Sequence, residues 1–160
     1  MRLAVNRVVK SWRNPEEFLW SAKSLELNSA GSGRRFLRHT ETPLAEEAFS
    51  AFGLRMDAPE PTFGHMIGNN FADGAFVHEH TDSAPEGFAH VRCNWMIQKP
   101  PVGGDPILDG ELVPVAEGDL WLCIASHERH SSTPISGGER LIYSFGALIE
   151  LEHLRPLVAV

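Results

Sequence analysis

The chain has 160 residues, of which 42% are apolar and 22% charged, and its formal net charge is −7. That length fits one domain, and that apolar share supports a core and excludes a disordered chain. The acidic balance, with Arg34, Arg35 and Arg38 as its only basic cluster, argues against a nucleic-acid partner, because phosphate binding needs clustered Lys and Arg.

In chain order, residues 3–9 read as a short strand. Asn14-Pro15-Glu16-Glu17 starts a helix running to about Ser24, with Asn as the cap and acids at the positive end of the dipole. Residues 28–33 are rich in Gly and Ser and read as a loop, and residues 34–39 as a strand. Thr42-Pro43-Leu44-Ala45-Glu46-Glu47 opens a second helix that ends near Gly53, followed by a proline-rich connection over 57–61. From Thr62 the pattern turns to strands, at 63–69, 75–82, 90–98, 105–108, 113–115, 120–125 and 141–150, separated by Gly/Pro turns. In the 90–98 strand, Val91, Cys93, Trp95 and Ile97 share one face. Arg92, Asn94, Met96 and Gln98 share the other, a composition that suits a wet pocket.

Strands following one or two N-terminal helices define a mainly β fold, a jelly roll with the helices packed on it. We read one domain over 1–160, with 1–60 as helical support and 61–150 as the jelly-roll core. Cys93 and Cys123 lie in apolar segments without metal-site or disulfide spacing. They read as buried small hydrophobes in a reducing cytoplasm. No signal peptide is visible, and no apolar stretch approaches membrane-spanning length. The expected partner is a small-molecule or peptide substrate, with no nucleic acid and no membrane; oligomeric state is not legible.

The chemistry concentrates in Val77-His78-Glu79-His80-Thr81-Asp82. On a strand, alternation would place His78, His80 and Asp82 on one side, so a histidine and a carboxylate two residues apart can share one ion. The best third ligand is His130. Two histidines and a carboxylate leave open positions, which suits non-haem Fe(II). Arg140 follows His130 and enters the apolar run Leu141-Ile142-Tyr143. An arginine there is costly to bury without a partner, and a carboxylate held bidentately would supply one. Glu139 and Asp119 are the protein acids that could pair with it instead. Ser144 shares the Arg140 face and offers a hydroxyl to the same carboxylate.

The ordered set His80-x-Asp82, His130 and Arg140, with the approach Asn70-Phe71-Ala72-Asp73-Gly74, resembles the Fe(II)- and 2-oxoglutarate-dependent oxygenases, in particular the small prolyl-hydroxylase-like members. The resemblance covers roughly residues 63 to 150. It implies the double-stranded β-helix, the jelly roll already read from the strands. It also implies a dioxygenase that hydroxylates its substrate with Fe(II), 2-oxoglutarate and O2, giving succinate and CO2. His80, Asp82 and His130 would be the catalytic iron ligands. Arg140 would hold the far carboxylate of 2-oxoglutarate, and Asn94 or Arg92 would contact the cosubstrate beside the metal. His78 and His127 remain as substrate contacts. A second enzymatic reading is a cupin using His78, His80, Glu86 and His130 without 2-oxoglutarate. A third is a non-catalytic jelly-roll module that binds a ligand.

Overall fold

The computed structural model describes residues 6–16, 18, 28–39 and 43–157. Its strands are β1 (Val8–Val9), β2 (Asn28–Gly31), β3 (Arg34–His39), β4 (Ala58–Pro59), β5 (His65–Asn70), β6 (Phe88–Gln98), β7 (Pro106–Leu108), β8 (Glu111–Leu112), β9 (Leu120–Cys123), β10 (His130–Ser132) and β11 (Arg140–Glu150). Helix α1 spans Pro43–Ser50, and the short α2 spans Leu151–Leu154. The major sheet runs in the order β1-β9-β6-β11-β5-β3-β2, with β4 also paired to β11, and a minor sheet runs β10-β7-β8. Two facing antiparallel sheets with helices behind one of them form the expected mainly β jelly roll.

The long strands β6 and β11 pair antiparallel from Phe88↔Glu150 to Gln98↔Leu141. Both are covered on two sides. Ala89, Val91, Cys93, Trp95 and Ile97 point outward into a core with α1 residues Ala45, Ala48 and Phe49. Fully burying a side chain such as Phe49 stabilises the fold by about 1.5–3 kcal/mol. On the inner face, Met96 joins Leu108 and Trp121 in a second, smaller core between the sheets. The alternation read from the sequence therefore separates a helix-facing core from an interior between the sheets, and the polar members Arg92 and Asn94 line a cavity there.

Some expectations are revised. Residues 28–33 are not a plain loop. Asn28–Gly31 pairs with β3, and the turn places Ser32 and Gly33 at φ 52° and 73°, the left-handed geometry that tight hairpin turns favour. With β1 and β4, these strands place described parts of the first 60 residues in the major sheet, beside the helical cover of α1. Residues 75–82 form no regular strand; their one ladder pair is the bridge His80↔His130. A bend at Glu79 interrupts the two-residue alternation. Residues 113–115 are likewise irregular, and Glu111–Leu112 pairs with β7 instead. Of the first helix, Asn14 Oδ1 accepts the Glu16 amide at 3.1 Å, a cap contact; Glu16 and Phe18 are helical, and residues 19–24 lie outside the described residues. Among the described residues no helix is long and apolar enough to cross a membrane.

Candidate active site

His80 and His130 are brought face to face by backbone pairing. The His80 amide donates to the His130 carbonyl at 3.1 Å, and the His130 amide donates to the His80 carbonyl at 2.9 Å. Asp82 is fixed next to them by its own amide, which donates to the Ala125 carbonyl at 2.8 Å. In both histidines Nδ1 contacts a nearby carbonyl, His78 O at 2.7 Å and Glu128 O at 2.9 Å. Such a contact fixes the ring and leaves Nε2 to face a ligand. His80 Nε2 lies 3.4 Å from Asp82 Oδ1, and His130 Nε2 lies 3.6 Å from Asp82 Oδ2. Donor atoms at about 2.1 Å from one shared ion stand roughly 3 Å apart when adjacent, so small side-chain adjustments would seat a divalent cation. The three residues form a metal-competent group, each offering one ligand atom within 4.8 Å of the other two. Contact with Asp82 raises the His80 pKa. Burial works to raise the Asp82 pKa but is outweighed by His130 and His80, which hold it well below the usual carboxylate range.

A buried polar layer supports Asp82 from the β6 side. His90, 1% exposed, places Nδ1 3.8 Å from Asp82 Oδ2 and Nε2 2.9 Å from an Arg92 terminal nitrogen. Arg92 Nε donates to Ser144 Oγ at 2.7 Å, and its other terminal nitrogen donates to the Gly64 carbonyl at 2.8 Å. Glu60 faces the same guanidinium at 3.8 Å. The Glu60 carboxylate also accepts the amides of Thr62, Phe63 and Gly64 at 2.7, 2.6 and 2.9 Å. Ser144 in turn donates to Asn94 Oδ1 at 2.6 Å. The hydroxyl's only proton is thus given to Asn94, so here Ser144 orients Asn94 and Arg92 and has no proton left for a cosubstrate carboxylate. The Arg92 fork is occupied by protein acceptors, whereas the Asn94 amide nitrogen has no protein acceptor among the described residues.

Arg140 is 4% exposed and has no carboxylate within ion-pairing distance among the described residues. The two candidate acids are engaged elsewhere: Glu139 faces Arg35 at 3.9 Å, and Asp119 pairs with Lys10 at 2.9 Å. Its Nε donates to the Gly104 carbonyl at 2.8 Å, and its head sits 5.9 Å from the Trp121 ring centroid. Burial, and then the charge of Arg34, push the Arg140 pKa down to about 10 against the opposing charge of Asp105, which leaves it cationic at neutral pH. Arg140, Asn94 and the three metal-competent residues line one cavity of about 300 Å³ between the sheets.

The other candidates fall outside it. His78 is exposed and packs on the Phe76 ring at 4.4 Å, while its neighbour Val77 lines the cavity. The irregular backbone at Glu79 separates His78 from the His80/Asp82 side, so the three do not share a face. His127 is exposed, with Nδ1 2.7 Å from Ser126 Oγ. Glu86 is exposed on its loop, so the cupin set does not assemble. Arg34 and Asn70 line the cavity although the sequence singled out neither as a site residue. Arg34 belongs to the basic cluster of Arg34, Arg35 and Arg38, whose other two members face protein acceptors. Arg35 donates to Asn69 Oδ1 and Arg38 to the Pro61 carbonyl.

No family model matches the chain, and no curated protein matches it in sequence. Solved structures do match its fold. A prolyl-4-hydroxylase of Pseudomonas putida aligns with a TM-score of 0.60 and 16% identity, over 89% of this chain and 91% of its own. SnoN, a non-heme alpha-ketoglutarate-dependent epimerase from nogalamycin biosynthesis, aligns at 0.67 and 17%, over 89% and 76%. HygX of Streptomyces hygroscopicus, solved with nickel and 2-oxoglutarate bound, aligns at 0.60 and 15%, over 87% and 80%. The chain has the fold of the 2-oxoglutarate–Fe(II) oxygenases, prolyl hydroxylases among them.

Proposed function

We propose that the protein is an Fe(II)- and 2-oxoglutarate-dependent dioxygenase that hydroxylates a small-molecule or peptidyl substrate. The observation that carries this reading is Arg140, a buried cation with no carboxylate at ion-pairing distance among the described residues, lining the cavity that holds His80, Asp82 and His130. A buried charge without a partner is costly, and a guanidinium fork matches a carboxylate bidentately. HygX binds 2-oxoglutarate with a metal on this fold, which supports the same pairing here. His80, Asp82 and His130 would hold Fe(II), Arg140 the distal carboxylate of 2-oxoglutarate, and the Asn94 amide a cosubstrate oxygen near the metal. Once bound, iron and 2-oxoglutarate would supply the oxygen chemistry: O2 and 2-oxoglutarate give succinate and CO2, and one oxygen atom passes to a substrate C–H bond. The chain's own task is placement. His90 and the Arg92–Glu60 pair buttress Asp82, and Leu108, Trp121 and Ile142 exclude water from the cavity wall.

The test is succinate formation from 2-oxoglutarate by iron-loaded protein under oxygen. Turnover that requires both iron and oxygen, and vanishes in His80→Ala, is the expected result. Metal and 2-oxoglutarate binding without succinate, across substrates tried, would reduce the protein to a binding module.

A further inference from the structure

Arg140, Asn70 and Arg34 stand in one row across three strands. Asn70 of β5 is in register with Arg140 of β11 on one side and with Arg34 of β3 on the other. Residues directly opposite on neighbouring strands share a face, and strands lie about 4.8 Å apart, so the two arginine backbones are roughly 10 Å apart with Asn70 between. All three side chains line the cavity. Asn70 is 3% exposed and its Nδ2 is buried without an acceptor. Arg34 Nε is also buried without an acceptor, and no carboxylate reaches Arg34 among the described residues. Burial lowers the Arg34 pKa. Arg34 lines the same cavity as Arg140 and His80. Phe36 and Phe63, 36% and 41% exposed, also line the cavity.

The charges do not balance with cosubstrate alone. A divalent ion, Asp82 and Arg140 together carry a net two positive charges, which the two carboxylates of 2-oxoglutarate neutralise. Arg92 already faces Glu60. Arg34 is left over, beside an amide donor that is also unsatisfied, and leaving both in a cavity is costly. We propose that Arg34 and Asn70 form a second anion site that receives a carboxylate of the primary substrate. The substrate is then a free acid with an apolar body resting on Phe36 and Phe63. One surplus positive charge matches a carboxylate better than a phosphate dianion. The inference rests on the reading of Arg140 as the 2-oxoglutarate anchor.

The test uses full-length protein loaded anaerobically with Fe(II). 2-Oxoglutarate is titrated first by calorimetry. The ternary complex is then titrated with matched acid and amide probes: hexanoate with hexanamide, phenylacetate with phenylacetamide, and N-acetylproline with its amide. At least one acid is expected to bind roughly tenfold or more tighter than its amide, the scale of a charge-assisted hydrogen bond. Arg34→Gln should erase that preference, and Arg34→Lys, which keeps the charge, should retain most of it, showing that the fold is intact. No acid preference in any pair, or a preference that survives Arg34→Gln, overturns the proposal. So does an Arg34→Gln protein that loses 2-oxoglutarate as severely as Arg140→Gln, because both arginines would then serve one anion. If the first titration shows no 2-oxoglutarate binding, the underlying reading fails, and this one with it.

Discussion

Gly104 and Arg140 form one unit. The Gly104 carbonyl accepts Arg140 Nε at 2.8 Å, and a Cβ on Gly104 would stand 3.2 Å from Arg140 Cδ. Gly104 sits at φ +81°, where a side chain is strained by about 1–2 kcal/mol. The glycine therefore seats the arginine stem and aims its free nitrogens at the cavity. Gly104→Ala should weaken 2-oxoglutarate binding several-fold and lower stability by about 1–2 kcal/mol, read by calorimetry and urea unfolding. Unchanged 2-oxoglutarate affinity would show that Arg140 does not depend on this seat.

The same logic governs Arg92. Gly146 is paired with Arg92 across the β6–β11 ladder, and a Cβ there would overlap the guanidinium and stand 2.7 Å from the Gly64 carbonyl oxygen. Gly146→Ala should cost about 1–3 kcal/mol by overpacking. Glu60→Ala should cost about 3 kcal/mol or more, because it leaves a buried cation without its acid and three amides without their acceptor. Urea unfolding checks both, and a Glu60→Ala loss below that of an ordinary surface change would remove Glu60 from the buried network.

How much of this was legible depends on whether a feature is local. The faces of β6 were readable because a long strand keeps strict alternation. His80-x-Asp82 could be paired as neighbours even though the segment proved irregular, since only two residues had to point together. His78 was misplaced because alternation was extended across Glu79, where backbone pairing to the His130 strand, rather than a ladder, sets direction. The place of Arg34 and Asn70 in the cavity is not legible in the sequence, although Asn70 opens the motif that approaches His80. Their meaning comes from the register of three strands distant in sequence, and nothing near Arg34 distinguishes it from the paired Arg35. Ser144 was seen on the correct face, but its commitment to Asn94 and Arg92 is tertiary.

His153 of α2 places Nδ1 2.7 Å from Asp57 Oδ2, and Asp57 also accepts the Glu150 amide at 2.9 Å. The bond to Asp57 raises the His153 pKa. Burial works to raise the Asp57 pKa, but His153 and the Glu150 amide outweigh it and lower it. The His153 contribution to stability is complete below the ordinary histidine value of about 6.5 and fades as pH rises through the raised value. The Asp57 contribution is complete above about 3.9 and fades as pH falls through the lowered value. The stability gap between wild type and His153→Gln should therefore be widest between about pH 4 and 6.5 and narrow on either side. A gap independent of pH would mean that the pair carries no charge interaction.

The most direct test of the account is anaerobic calorimetric titration of 2-oxoglutarate into Fe(II)-loaded protein, compared with metal-free protein and with Arg140 variants. The account requires wild-type binding that weakens strongly without metal or in His130→Ala. It also requires Arg140→Ala to lose roughly tenfold or more in affinity, with Arg140→Lys recovering only part, since a point charge cannot reproduce the fork. Binding that is indifferent to the metal, to His130 and to Arg140 would contradict it.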